Sequence, residues 1–143
     1  MGKIWFGEPT VAQVNAASLN TLVSHLGIAI TDVGDDFLRG TMPVDNRTHQ
    51  PAGLLHGGAS VVLAETLGSS AGQMVVDHRS FAVVGVEINA NHVRGVKTGV
   101  VTGTAKPLHI GRNTHVWEIK IEDETERLVC VSRLTLAVVA RGV

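Results

Sequence analysis

Apolar positions along the chain switch from helical to alternating spacing, back to helical, and then to alternation again. Thr10 is placed to cap a first helix from about Val11 to His25, with Val14, Leu19, Leu22, Val23 and Leu26 as its apolar side and Gly27 as its stop. "IAITDVGDDFLRGTMPV" then reads as a hairpin, two β-type runs around Gly34, Asp35 and Asp36. "DNRTHQPAG" is polar and rich in breakers, which predicts a loop. "GLLHGGASVVLAETLGSSAGQ" predicts a long apolar helix that starts near Gly57 and ends before Asp77-His78-Arg79-Ser80. Four β-rich runs follow: "FAVVGVEINANHV", "TGVVTGTAKPLHIG", "THVWEIKIEDE" and "RLVCVSRLTLAVVA". In the third, Trp117, Ile119 and Ile121 fall on one face and Glu118, Lys120 and Glu122 on the other. Short turns between consecutive strands imply an antiparallel sheet. One apolar helix beside five or six such strands predicts an α+β architecture in which the sheet wraps the helix and buries it all round. Its exposed edge strands invite pairing with a second subunit.

Composition narrows the class. At 143 residues the chain fits one domain, 1–143, with residues 1–27 as an N-terminal helical segment packed on the rest. Hydrophobic residues make up 44% and charged residues 17%, as in a soluble globular protein. Aromatics are 3% and tyrosine is absent, so Val, Leu, Ile and Ala must build the core. A net charge of −1 gives no electrostatic reason to expect nucleic acid or an anionic membrane. The single Cys130 excludes an intramolecular disulfide, and its apolar surroundings predict a buried thiol. No apolar run approaches the roughly 18 residues of a membrane span. "MGKIWFGEPT" has no continuous apolar stretch of the secretory type and lacks the myristoylation pattern, which makes the cytoplasm the expected compartment.

One residue does not fit its surroundings. Glu65 sits among Val61, Val62, Leu63, Ala64, Leu67 and Ala71, and no Lys or Arg falls between residues 53 and 73. Desolvating an unpaired carboxylate is costly, although a mid-helix glutamate is most often on a wet face. On a helix Glu65 shares a face with Val61 and Ser69, so the Ser69 hydroxyl can hold the carboxylate or a water beside it. Gly57 and Gly58 lie at the helix start, where backbone N–H groups lack intrahelical acceptors and can polarise a carbonyl oxygen. Carboxylate, hydroxyl and helix-start donors together suit attack on an acyl carbon. Taken alone, His56 is as well explained as a capping residue, and Gln50 is uninformative. The residues by themselves leave Glu65 divided between a buried structural pair and a functional group.

"MPVDNRTHQPAGLLHGGASVVLAETLGSSAG", "VVGVEINANHVR" and "VCVSRLTLAVV" together resemble the hotdog-fold acyl-CoA thioesterases. The likeness is greatest to the dihydroxynaphthoyl-CoA and hydroxybenzoyl-CoA group, which carries its catalytic Glu on the central helix. It spans about Val23 to Val139. It implies a central helix wrapped by an antiparallel sheet, dimers whose shared active sites lie at the interface, and tetramers built from those dimers. By position, Glu65 matches the catalytic carboxylate, acting as nucleophile or general base, and Gly57 the backbone donor to the thioester carbonyl. His56 matches the residue that shapes that turn, Gln50 the loop glutamine near the thioester, and Ser69 the hydroxyl close to Glu65. Gly85 matches a position close to the substrate. The substrate implied is an aromatic or medium-chain acyl-CoA, coenzyme A being part of it; no metal and no separate cofactor are expected, since a thioester needs only an oxygen nucleophile and an oxyanion donor.

Between Ile88 and Trp117 there is no Asp or Glu, while Arg94, Lys97, Lys106 and Arg112 fall there with His92, His109 and His115. A basic stretch in a slightly acidic chain predicts a polyanionic ligand at one spot, and coenzyme A carries a pyrophosphate and a ribose phosphate. The resemblance places "NHVR" and "PLHIGR" near the nucleotide. The candidates are therefore His92, Val93, Arg94 and Gly95, with His109, Ile110, Gly111, Arg112, Asn113 and Thr114.

Two other functions compete. A hotdog hydratase or dehydratase pairs a His with a carboxylate, which His56 and Glu65 superficially permit. A non-catalytic acyl-CoA binding module would tolerate loss of Glu65, which this chain retains. A metal hydrolase fits worst, because none of the seven histidines forms an H-E-x-x-H pattern.

Overall fold

Trp117, Ile119 and Ile121 are fully buried while Lys120 is exposed, so the alternation read from the sequence separates an inner from an outer sheet face. The computed structural model describes residues 2–142. In chain order the elements are α1 (Val11–Ala17), α2 (Leu22–His25), β1 (Ala29–Val33), β2 (Leu38–Pro43), α3 (Gly57–Val75), β3 (Phe81–His92), β4 (Val100–Ile110), β5 (Thr114–Glu122) and β6 (Leu128–Ala140). All six strands form one antiparallel sheet in the order β1-β2-β4-β5-β6-β3.

The α+β architecture and the bounds of the long helix match expectation; strand order is where simple succession fails. β3 pairs with β6 at the far edge and not with β4, which follows it in sequence. The 19 residues of α3, about 28 Å of helix, carry the chain across the sheet to that edge. Residues 93–99 then return along one end of the sheet. They bond to the loop before α3 through Leu55 N–H to Val96 O, at 2.7 Å, and Val44 N–H to Gly99 O, at 2.8 Å. A cleft forms between that loop and the returning segment, and its lining is described below.

α3 lies close to the sheet because side chains are missing where the two meet. Gly40 and Gly103 are cross-strand partners, and a Cβ on Gly103 would stand 2.7 Å from Leu67 Cδ1. On the helix, Gly68 and Gly72 receive Leu134 and Leu136 in the same way. Leu63 and Leu67 are thereby fully buried, each contributing about 2 kcal/mol by removal from water. However, α3 is not buried all round. Its sheet-facing residues Ala59, Leu63, Ala64, Leu67 and Ala71 are covered, whereas Glu65 on the other side is exposed. The sheet curves around one side of the helix, and nothing among the described residues closes over the carboxylate.

The N-terminal segment also departs from expectation. The single helix from Val11 to His25 is two short helices, because Asn20 takes a left-handed φ of 60° and the Thr21 side chain starts a new cap on Val23 N–H. The break leaves Leu19 and Leu22 exposed, so neither belongs to the apolar side. Gly27, at φ 75°, does end the helical stretch. Ahead of α1, Trp5 stacks on Trp117 with ring centroids 6.5 Å apart, and Phe6 N–H bonds Met74 O at 2.9 Å near the end of α3.

The two sheet edges differ. β1 is blunted by Asn15, whose amide both accepts from Ile30 N–H, at 2.8 Å, and donates to Ile30 O, at 3.0 Å. β3 is a twelve-residue edge with exposed Phe81, Val84 and Val86, and nothing in the described residues covers it.

Candidate active site

The start of α3 leaves one amide free. His56 is the N-cap, and Gly58 N–H donates to its Nδ1 at 2.7 Å. That bond makes Nδ1 the acceptor and places the ring proton of neutral His56 on Nε2. His56 O accepts from Ala59 N–H, at 3.0 Å, and from Ser60 N–H, at 3.2 Å. Gly57, the first helical residue, keeps an N–H with no acceptor among the described residues, at the positive end of the helix dipole. A Cβ on Gly57 would lie 2.8 Å from His92 Nε2, so a glycine here lets His92 close over the helix start.

A cleft of about 390 Å³ opens in front of that amide, lined by Gln50, Leu54, Gly57, His92, Val93, Arg94 and Gly95 among others. Gln50 reaches it from the loop before α3. Its Oε1 accepts from Ala52 N–H, which leaves the side-chain NH₂ without a partner among the described residues. Arg94 makes no ion pair among the described residues, so its guanidinium is available to a ligand anion. The structure thus brings together Gln50, His56, Gly57 and residues 92–95, which lie far apart in sequence.

Glu65 belongs to a second place. It follows Gly57 by eight residues, about 12 Å along the helix axis. Its carboxylate stands over β3, where a Cβ on Gly85 would be 3.3 Å from Glu65 Oε2. Gly85 borders a β-bulge in the β3–β6 pairing. Ser69, one turn further on, lines a larger cleft of about 860 Å³ between the N-terminal segment and the last turns of α3, with Val14, Met74 and Val83 among its apolar walls. Glu65, Gly85 and Ser69 therefore form one group, and Gln50, His56, Gly57 and residues 92–95 another.

The basic stretch is not one spot within the chain. His92 pairs with Cys130 on β6, whereas Thr114 pairs with Ala137. Seven residues of strand, about 23 Å, separate the two levels, so the β4–β5 turn holding His109, Ile110, Gly111, Arg112, Asn113 and Thr114 lies toward the opposite end of the sheet from Arg94. Lys106 is elsewhere again, 6.0 Å from the Phe37 ring centre. His115 leaves the basic group altogether. It is 1% exposed in the core, where burial and then the charge of His109 hold its pKa below the ordinary histidine value. Sequence neighbours on a strand alternate faces and pass from one end of the sheet to the other, which separates these charges.

Among the described residues no three His, Cys, Asp or Glu side chains cluster as metal ligands, and no helix is long and apolar enough to cross a membrane. Gln73 is a polar group that sequence patterning missed. Its Oε1 accepts from Val83 N–H at 3.3 Å, while its Nε2 is buried without a partner in the wall of the larger cleft.

Residues 52–130 match the family described as "Thioesterase superfamily". The "Proofreading thioesterase EntH" of Cronobacter turicensis is 56% identical over 135 residues, 94% of this chain and 98% of that one. A thioesterase of Pseudomonas aeruginosa, solved with a glutamine replaced by alanine, superposes with a TM-score of 0.96 at 47% identity, covering 97% of this chain and 100% of that chain. A Staphylococcus aureus protein, described as a thioesterase enzyme in one of two structures, is 40% identical in both. The structure with a glutamate replaced by alanine has a TM-score of 0.81 and covers 84% of this chain and 99% of that one. The structure with a glutamine so replaced has a TM-score of 0.79 and covers 82% and 97%.

Proposed function

The chain belongs to the thioesterase superfamily, has the hotdog fold and is a thioester hydrolase, and from that premise we propose that it cleaves aromatic or medium-chain acyl-CoA at sites assembled from two copies. The observation that carries this reading is the separation of Glu65 from the free Gly57 amide. A nucleophile and an oxyanion donor must each approach the same acyl group to about 3 Å, and about 12 Å of helix lies between these two. One chain therefore supplies two half-sites. An antiparallel pairing of two β3 edges lays the two α3 helices antiparallel, and with the two-fold axis near Val61 it sets Glu65 of one copy beside Gly57 of the other. The same pairing covers Phe81, Val84 and Val86 and encloses the exposed carboxylate. It also brings the β4–β5 turn of one copy to the level of Arg94 in the other, reuniting the basic residues around the nucleotide.

In the assembled site, the Gly57 N–H takes the thioester oxygen and stabilises the oxyanion, aided by the helix dipole. Glu65 attacks the acyl carbon directly or removes a proton from the water that does, and Ser69 hydrogen-bonds the carboxylate or that water. The C–S bond breaks and the thiolate leaves with a proton as coenzyme A. The free acid forms in that step when water is the attacker; when Glu65 is the attacker, it forms as water then hydrolyses the acyl–Glu65 anhydride and regenerates the carboxylate. His56 holds the turn that frees Gly57, and the Gln50 NH₂ steadies the thioester. The Arg94 guanidinium and the amides of Arg94 and Gly95 hold phosphate, the Val93 N–H being taken by Val129 O. The glutamine and the glutamate replaced in the Staphylococcus aureus structures stand fifteen residues apart, the spacing of Gln50 and Glu65, which supports the pairing of roles.

The test is turnover of a panel of aroyl- and alkanoyl-CoAs followed with a thiol-reactive dye. Glu65→Ala is expected to lower kcat/KM about 10³-fold or more while coenzyme A still binds. Unchanged turnover in Glu65→Ala would remove the carboxylate from the mechanism.

A further inference from the structure

Resting on the acyl-CoA reading above, we infer that Gln73 selects the acyl group, and that the preferred acyl group is uncharged and carries a hydrogen-bond acceptor at its far end. Three observations meet in the larger cleft. It begins at Ser69, one turn beyond Glu65, so an acyl carbon at Glu65 directs its chain or ring along the last turns of α3. Its walls are largely apolar through Val14, Ala17, Met74 and Val83. In that apolar wall Gln73 has fixed its oxygen on Val83 N–H and keeps a buried NH₂ with nothing to donate to.

A buried donor without a partner is costly, and a site that contains one favours a ligand that supplies the missing acceptor. The terminal torsion of a glutamine is broad, and a 3.3 Å bond holds it lightly, so an entering oxygen can draw the NH₂ toward the cleft. The geometry also sets a length. Gln73 lies eight residues beyond Glu65, about 12 Å along the axis, and contacts of about 3 Å at each end leave roughly 6 Å between thioester carbon and acceptor. A para oxygen on a ring or a keto group near the sixth carbon of a chain spans that distance. No Lys or Arg lines the cleft, Glu8 there is already paired with Lys3 at 3.2 Å, and His78 is the basic side chain among the lining residues. A carboxylate-tipped acyl group is therefore desolvated against largely apolar walls with no fixed cation to receive it.

The experiment measures kcat/KM for 6-oxoheptanoyl-CoA, heptanoyl-CoA and adipoyl-CoA with the wild type, Gln73→Met and Gln73→Glu. The wild type is expected to favour the oxo substrate over heptanoyl-CoA at least tenfold, with adipoyl-CoA slowest. Gln73→Met removes the donor at similar length and should erase the oxo preference, lowering kcat/KM for 6-oxoheptanoyl-CoA at least tenfold more than for heptanoyl-CoA. Gln73→Glu keeps an oxygen for Val83 N–H and should erase it as well. A wild type that hydrolyses heptanoyl-CoA and 6-oxoheptanoyl-CoA equally overturns this inference alone. An equal loss on both substrates in the two variants also overturns it, since that is the mark of a purely structural glutamine. Absence of turnover with every acyl-CoA overturns it together with the reading on which it rests.

Discussion

Acidic side chains fix the loops of this protein by bonding backbone amides just ahead of them. Asp45 and Asp77 each accept from the N–H and the guanidinium of an arginine two residues on, and Asp123 accepts from the amides of Thr125 and Arg127. Those bonds hold Asp45, Asp77 and Asp123 each at a pKa of about 2, the first two chiefly through the arginine side chain and the third through the Arg127 amide. All three remain ionised well below neutral pH. His115 behaves differently. Burial holds its pKa below the ordinary histidine value, and its Nδ1 has no hydrogen-bond partner among the described residues. The unfolded chain binds the His115 proton more readily than the folded one, so stability falls as pH drops below about 6.5 and continues to fall until the depressed folded value is passed. The midpoint of urea unfolding should therefore decline between pH 7.5 and 5, and His115→Phe should flatten that decline. A wild-type profile as flat as the variant's would place the loss elsewhere. Local charge hid His115 as a core residue, since it stands beside His109 and Arg112 in a basic run. Its strand parity carried the information: Trp117, Ile119 and Ile121 share its face and are all buried.

At the scale of elements, glycine sets how closely the helix lies on the sheet. Gly103→Ala would drive a methyl group to 2.7 Å from Leu67 Cδ1 and 3.4 Å from Leu63, both fully buried in the core. Overpacking of this kind costs about 1–3 kcal/mol, more than the gain from a less flexible unfolded chain, so Gly103→Ala should lower the urea midpoint. Wild-type stability in that variant would show that the helix can slide. The long helix and all six strands were legible because their apolar periods run over many residues. The break at Asn20 was not, because a left-handed residue followed by a new Thr cap leaves helical spacing intact on both sides. Strand order was hidden as well, since periodicity reveals which residues face inward and nothing about which strand lies beside which. That order is what places residues 93–99 against the loop holding Gln50 and so creates the cleft in front of Gly57.

For the whole molecule, the proposed sharing of the site between two copies predicts that inactive chains rescue each other. Gly57→Pro removes the free amide at the first helical position, where proline is tolerated, and His56 already has the extended ψ of 130° that precedes proline comfortably. Gly57→Ala is its control, because it makes the same contact with His92 but retains the N–H. With the site shared as proposed, Gly57→Pro is strongly impaired in kcat and Gly57→Ala much less. Glu65→Ala chains mixed and refolded with Gly57→Pro chains then form dimers in which one of the two sites combines an intact Glu65 with an intact Gly57. Random pairing makes half of all dimers mixed, and each holds one working site of two, so activity should return to about a quarter of the wild-type level per chain. Activity that stays at the sum of the two separate variants would mean that each chain completes its own site, and the distance along the helix would then need a bend or slide that a straight α3 does not provide.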